Sequence, residues 1–193
     1  MGIRSTVVFC VTSFLLGTLF THWIADSLTL WKSPITDEHL WTAASYYYFL
    51  TKAAPFILYL FTAVVALGAI AVLWSLGDGE ASNLMFDGGS VFLFGTSVAL
   101  YSYSVIPVIV AKFATLPVHQ EKVPDLMRND ILHLASNNLM CSVALTGVLI
   151  LQAGRFWTER SDDSQVAAEL RRQTALLRAA ESRARTPEPQ KPS

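Results

Sequence analysis

Cysteine is scarce in this chain. Its 193 residues hold two, Cys10 and Cys141, and both fall in stretches without a charged side chain. No loop carries a thiol, so no extracellular disulfide framework exists. That counts against claudin-like adhesion proteins, which staple an outer loop. It also counts against membrane thiol oxidoreductases, which need a close cysteine pair. An excess of positive charge is missing too: 14 Lys+Arg stand against 15 Asp+Glu, a net charge of −1. Such a balance supplies no basic field for nucleic acid.

Charge is also missing locally. No Lys, Arg, Asp or Glu occurs in the 21 residues between Arg4 and Asp26, or in the 25 between Lys52 and Asp78. The same holds for the 24 between Asp87 and Lys112 and the 24 between Asp130 and Arg155. A bilayer core about 30 Å thick needs roughly 20 apolar residues of helix. Each gap is long enough to cross, which excludes a soluble globular domain and a disordered chain. In hydrocarbon each span must satisfy its own backbone, and the alternating pattern of a barrel strand is absent, so the spans are helices. The chain therefore reads as an all-α membrane protein with four transmembrane helices, at about 5–25, 53–76, 90–111 and 131–153. Residues 1–160 form the membrane domain and 161–193 a hydrophilic tail. There is no internal repeat.

Arg4 and the small residues at Ala25-Asp26-Ser27 resemble the ends of a signal peptide. The uncharged core between them is longer than an ordinary signal core, so the first segment is expected to remain as a span.

The loops differ in character. In loop one, residues 26–52, Thr36 can cap a helix whose first turn carries Asp37 and Glu38. Leu40, Ala44, Tyr47 and Tyr48 then share a face, as in a short helix lying at the interface, where Trp and Tyr prefer to sit. Loop two, 78–87, is short and acidic, and its glycines mark a tight hairpin rather than a calcium loop. Spans two and three are thereby antiparallel neighbours. Loop three, 112–130, holds Pro117 and Pro124 and reads as irregular. The tail is rich in Ala, Leu, Glu and Arg from 164 to about 185, which favours helix. Heptad spacing of Ala167, Leu170, Thr174 and Leu177 is too poor for a stable coiled coil. Beyond 185 the prolines predict an extended, disordered end.

Four spans place both termini on one side. With cytosolic termini, that side carries nine basic residues against five in loops one and three. Counting only tail residues within 20 positions of the membrane, the comparison is five against five. The charge rule favours cytosolic termini only weakly.

An intramembrane enzyme or ion carrier needs ionisable groups at depth. By the charge gaps, no acidic or basic residue lies inside a span. His22 ends span one and His133 begins span four. His22 and Asp26 stand four apart, as a pair, a proton site or part of a metal site would require. Metal sites usually need three or four ligands, so a histidine at the interface beside Trp23 is the simpler reading. His39 and His119 are isolated loop residues. No phosphate loop, nucleophile elbow, zinc-protease motif or paired-carboxylate arrangement occurs, and nothing calls for a cofactor.

The informative polar residues are uncharged. Ser13, Gly17 and Thr21 form a small-residue stripe down span one, and Gly95 and Ala99 repeat the spacing in span three. Span four holds Ser136, Asn137, Asn138, Ser142 and Thr146. Close packing and interhelical hydrogen bonds hold membrane helices together. These groups either pack the bundle internally or face outward, to meet another membrane protein's helices. Asn137 and Asn138 stand about 100° apart on a helix and cannot both point the same way.

Three stretches carry a resemblance. Thr12-Ser13-Phe14-Leu15-Leu16-Gly17 followed by Thr21-His22-Trp23 resembles the first span of the fungal endoplasmic-reticulum chaperones for amino-acid permeases, named for super-high histidine resistance. Phe86-Asp87-Gly88-Gly89-Ser90 resembles the family's second hallmark. Leu151-Gln152-Ala153-Gly154-Arg155-Phe156-Trp157 resembles its third. The resemblance covers about residues 5–160. It implies an endoplasmic-reticulum protein with four spans and a cytosolic tail that is not an enzyme. Its membrane part shields new spans of amino-acid permeases against aggregation, and its tail is associated with vesicle coat components in permease export. On that reading Ser13, Gly17, Thr21, Asn137 and Asn138 are the expected client contacts. The chain ends Gln190-Lys191-Pro192-Ser193, with one lysine where a dilysine retrieval signal has two, so residence would rest on the membrane part, partners or another signal. Two competing readings are a small transporter or channel, with His22, His133 and the asparagines as its only polar path, and an accessory subunit of a membrane enzyme complex.

Overall fold

The computed structural model describes residues 3–75, 84–115 and 122–185. Every regular element among them is helical. Four helices among the described residues are long and apolar enough to cross a membrane. The chain divides into two units, Met1–Ala153 and Gly154–Ser193. The expected hairpin of loop two, Pro117, His119 and the tail beyond 185 lie outside the described residues.

The first span lies in α1 (Ile3–Leu30), which runs past the expected end at Ala25 and carries Asp26 inside it. A helix, α2 (Asp37–Thr51), follows where the capping signal places it. The Thr36 hydroxyl accepts from the His39 N–H at 3.4 Å, and Asp37 and Glu38 occupy the first turn, where the helix dipole favours negative charge. Span two is α3 (Pro55–Ser75), opening on a proline whose missing N–H costs nothing there. Span three is built from α4 (Leu84–Leu100), a five-residue π-helical turn (Tyr101–Val105) and α5 (Ile106–Lys112). Pro107 explains the turn. Its ring collides with the carbonyl four residues back, and widening the helix removes the conflict. The Ile106 N–H accordingly donates to the Tyr101 carbonyl, five residues back. The fourth span lies in α6 (Asp125–Arg185), which begins straight after Pro124.

Two clusters fill the membrane unit. One joins α1, α3, α4 and α6 through Val8, Val11, Val72, Phe94, Leu145 and Val148. The other gathers Leu40, Trp41, Ala44 and Tyr47 of α2 with Val105, Ile109, Phe113, Ile131 and Leu134. The short helix of loop one thus has its apolar face covered by the ends of spans one, three and four. Loop three is tied to it from above: the Val123 N–H donates to Asp37 Oδ1 at 3.0 Å, and Lys52 Nζ donates to the Ala114 carbonyl at 3.4 Å. Lys52 also stands 4.9 Å over the Tyr48 ring.

Lipid gives helices no hydrophobic reason to associate, so close approach matters. Three glycines supply it. A Cβ on Gly68 would lie 2.6 Å from Val11 Cγ1, one on Gly89 2.8 Å from Leu151 Cδ1, and one on Gly147 2.7 Å from Leu93 Cδ1. The first draws α3 onto α1 and α4, and the other two draw α4 onto α6.

Candidate functional site

Two carboxyls lie inside the helices that carry spans one and three, Asp26 in α1 and Asp87 in α4. Asp26 and Asp87 are both buried. Spans drawn to end at charged residues stop short there. A buried carboxyl is tolerated when polar partners surround it, and each of these has them.

Around Asp26, four elements converge. The Tyr47 hydroxyl of α2 donates to Asp26 Oδ1, and Asn138 Nδ2 of α6 donates to Asp26 Oδ2 at 2.9 Å. Asn138 Nδ2 also reaches the Tyr47 oxygen at 3.2 Å. One turn earlier on α1, His22 Nδ1 lies 2.7 Å from the Tyr46 hydroxyl and His22 Nε2 3.0 Å from the Tyr101 hydroxyl. Tyr101 belongs to the π-helical turn of span three, so the widened backbone carries the residue that meets His22. The Tyr46 hydroxyl donates onward to Thr21 Oγ1 at 3.5 Å. A neutral imidazole has one donor and one acceptor. Tyr46, its own proton turned to Thr21, accepts from Nδ1–H, and Tyr101 donates to Nε2. Burial pushes the Tyr47 phenol up, and the neighbouring Asp26 carboxyl adds to the shift. Burial raises the Tyr46 phenol as well. Both stay protonated as donors through neutral pH.

His22 and Asp26 therefore do not pair. Each takes its own partners, and His22 is buried rather than turned to the interface beside Trp23. Among the described residues no group of three or more His, Cys, Asp or Glu is placed to hold a metal ion.

Asn137 and Asn138 are both buried within the bundle. Asn137 Nδ2 donates to Ser104 Oγ at 2.8 Å and lies 3.2 Å from His133 Nδ1. The 100° between the two asparagines sends one to span three and the other to α1 and α2. Span four is the most enclosed of the four, so its inward arc is wide enough for both. Ser142 and Thr146 return their hydroxyls to carbonyls of their own helix.

The stripe on α1 behaves differently. Ser13, Gly17 and Thr21 are all exposed, and nothing lies within 4 Å of a Cβ placed on Gly17. Gly95 is equally open, and Ala99 is exposed. Phe20 and Ile24 flank the α1 stripe and are also exposed. Internal packing uses other glycines and leaves these free.

A second polar cluster sits between α4 and α6. Gln152 Nε2 donates to Ser90 Oγ at 3.0 Å and to Asp87 Oδ1 at 3.4 Å. Ser90 Oγ donates to the Phe86 carbonyl at 2.8 Å. Next to them Leu151 fills the space that a side chain on Gly89 would need. The stretch 86–90 thus meets Leu151 and Gln152 face to face. Phe86 and Gly88 are half-buried, and Gly88 has open space at its Cβ position. In the second unit Gly154 and Arg155 are half-buried and Trp157 is exposed. Arg155 pairs with Glu159 at 2.7 Å, and the Thr158 hydroxyl donates to the Gly154 carbonyl at 3.1 Å.

These stretches carry the resemblance, and comparison of the whole chain bears it out. A family model for the SHR3 chaperones, described as ER membrane protein SH3, matches residues 1–192. The chain belongs to that family. The SHR3 family is one of chaperones, not of enzymes, and its members are proteins of the endoplasmic-reticulum membrane. With four helices able to cross a bilayer, this member is multi-pass. No curated protein and no solved structure matches it. For an SHR3-type chaperone the clients are membrane proteins. Of the residues that a transport path would use, His22 and Asn138 are buried and bonded within one cluster, Asn137 is buried against Ser104, and His133 is exposed.

Sequence reasoning missed the partners of both clusters. In sequence Tyr47 reads as an interface aromatic and Gln152 as part of a motif, while Tyr46 and Tyr101 carry no site reading. Only Gln152 carried a usable signal, a lone amide in an otherwise apolar helix end.

Proposed function

We propose that this endoplasmic-reticulum chaperone shields transmembrane segments of newly made amino-acid permeases, prevents their aggregation and assists their packaging for export. Both termini are cytosolic in this reading, loops one and three are lumenal, and the tail works with vesicle coat components. The observation that carries it is the open stripe on α1. Three glycines draw the bundle together, yet Gly17 stands uncovered between Ser13 and Thr21 on a span otherwise flanked by large exposed apolar side chains. Small residues let a second helix approach closely, and interhelical hydrogen bonds average only about 0.6 kcal/mol. Weak contacts of that size suit a helper that must release its client. Asn137 and Asn138 contribute from within, by fixing span four against its neighbours.

Gly17→Leu tests the reading. A Cβ at Gly17 has no neighbour within 4 Å and the residue is exposed, so abundance and fold are expected to be unchanged. Permease export is expected to fail, because a leucine there holds a docking helix away. Normal export in the variant would remove the α1 stripe from the account.

A further inference from the structure

We propose that Thr174, in the second unit, is a phosphorylation site for a kinase that reads two arginines just ahead of its acceptor. Residues 161–178 of that unit are all exposed. Three hydroxyl side chains lie among them, Ser161, Ser164 and Thr174, and their surroundings differ in sign. Thr174 follows Arg171 and Arg172, at the third and second positions before it. Ser164 follows Asp162 and Asp163, and Ser161 has Glu159 two positions before it. Kinases sort substrates by such charge patterns. An acidic substrate groove attracts the guanidinium pair before Thr174 and repels the carboxylates before Ser164.

Access favours the same residue. A kinase takes its acceptor in an extended segment, so the helix must open over a turn or two. Along 170–178 every side chain is exposed, and no packed face holds the helix shut. Helices without tertiary packing are marginal in water. Thr174 is β-branched and a poor helix former, and its hydroxyl is held only by the Leu170 carbonyl of the same helix, at 2.8 Å.

The chemistry balances within one transfer. Thr174 Oγ1 attacks the γ-phosphorus of ATP, forming an O–P bond. The bond from that phosphorus to the bridging oxygen breaks, ADP leaves, and the hydroxyl proton passes to the kinase's base. Once the helix re-forms, Arg171 lies three residues before the phosphate and Arg178 four after it, both on the same helical face. Each can make a charge-assisted bond to it. Residues 170–185 carry five arginines and one glutamate. A phosphate of about −1.5 to −2 charge cancels much of that local positive excess.

This inference rests on the cytosolic tail of the proposed function, because ATP must reach it. Sealed endoplasmic-reticulum vesicles containing the full-length chain are incubated with ATP and a purified kinase of this arginine specificity, and phosphosites are mapped by mass spectrometry. Phosphate is expected on Thr174 and absent from Ser161 and Ser164. Thr174→Ala should abolish it, and replacing Arg171 and Arg172 by alanine should slow it about tenfold or more. Modification that needs detergent-opened vesicles would place the tail in the lumen and overturn the proposal. Lack of phosphate in opened vesicles, equal labelling of Ser164, or indifference to the arginines would overturn the recognition itself. Client export is not read in this experiment, so the chaperone reading stands or falls separately.

Discussion

Replacing glycine by alanine at four positions should give three different outcomes that the packing alone ranks. In a helix interior alanine is favoured over glycine by about 1 kcal/mol. At Gly17 nothing lies within 4 Å of the new methyl group, so Gly17→Ala should keep that gain and stabilise the bundle. At Gly68 the methyl would stand 2.6 Å from Val11 Cγ1 and 2.8 Å from Phe94 Cζ. Val11 is stiff at its first torsion, and both residues are buried in one cluster. Overpacking of this kind costs about 1–3 kcal/mol. Set against the propensity gain, Gly68→Ala should be net destabilising, by up to about 2 kcal/mol. Gly89 and Gly147 fall between, because their neighbours are the ends of Leu151 and Leu93, which can turn aside. Unfolding in mixed detergent micelles, followed by helical circular dichroism, measures all four. The expected order of stability is Gly17→Ala highest, Gly89→Ala and Gly147→Ala near wild type, Gly68→Ala lowest. Equal shifts of the same sign at Gly17 and Gly68 would refute the division between packing glycines and open ones.

The two polar clusters make further predictions. Tyr47→Phe keeps the ring against Phe113, whose centroid lies 5.5 Å away, but removes the donor to Asp26. A buried acceptor left without its donor costs about 1–3 kcal/mol, and the same unfolding assay should show that loss. No change would mean that the carboxyl is satisfied otherwise. Gln152→Leu removes the amide that reaches both Asp87 and Ser90, so hydrogen exchange should quicken in the first turns of α4 while α2 stays protected. Quickening spread evenly over the bundle would argue against a local clamp.

Much of the fold was legible because charge is so costly in lipid. Four uncharged stretches located four spans, and Thr36 with its two following acids located α2. The helices run on past the charged residues that close those stretches. Asp26 and Asp87 look like boundaries in sequence, yet each lies inside a helix, where Tyr47 and Asn138 meet the first and Gln152 the second. Asn138 lies 112 residues from Asp26 and Gln152 lies 65 from Asp87, separations that no local pattern reveals. Asn137 and Asn138 show the related difficulty. Their 100° separation is readable, but how much of span four is enclosed depends on the other three helices. The stripe of Ser13, Gly17 and Thr21 was readable as small residues at helical spacing; whether it faces inward or outward was not. Gly68, which packs α3, carries no sequence mark that separates it from Gly17.

The central claim is that this chaperone serves amino-acid permeases in particular. Its most direct test is to deplete the protein and image tagged amino-acid permeases beside an unrelated polytopic sugar transporter. The account predicts that the permeases stall and aggregate in the endoplasmic reticulum while the sugar transporter reaches the surface. Normal delivery of both, or equal arrest of both, would contradict it.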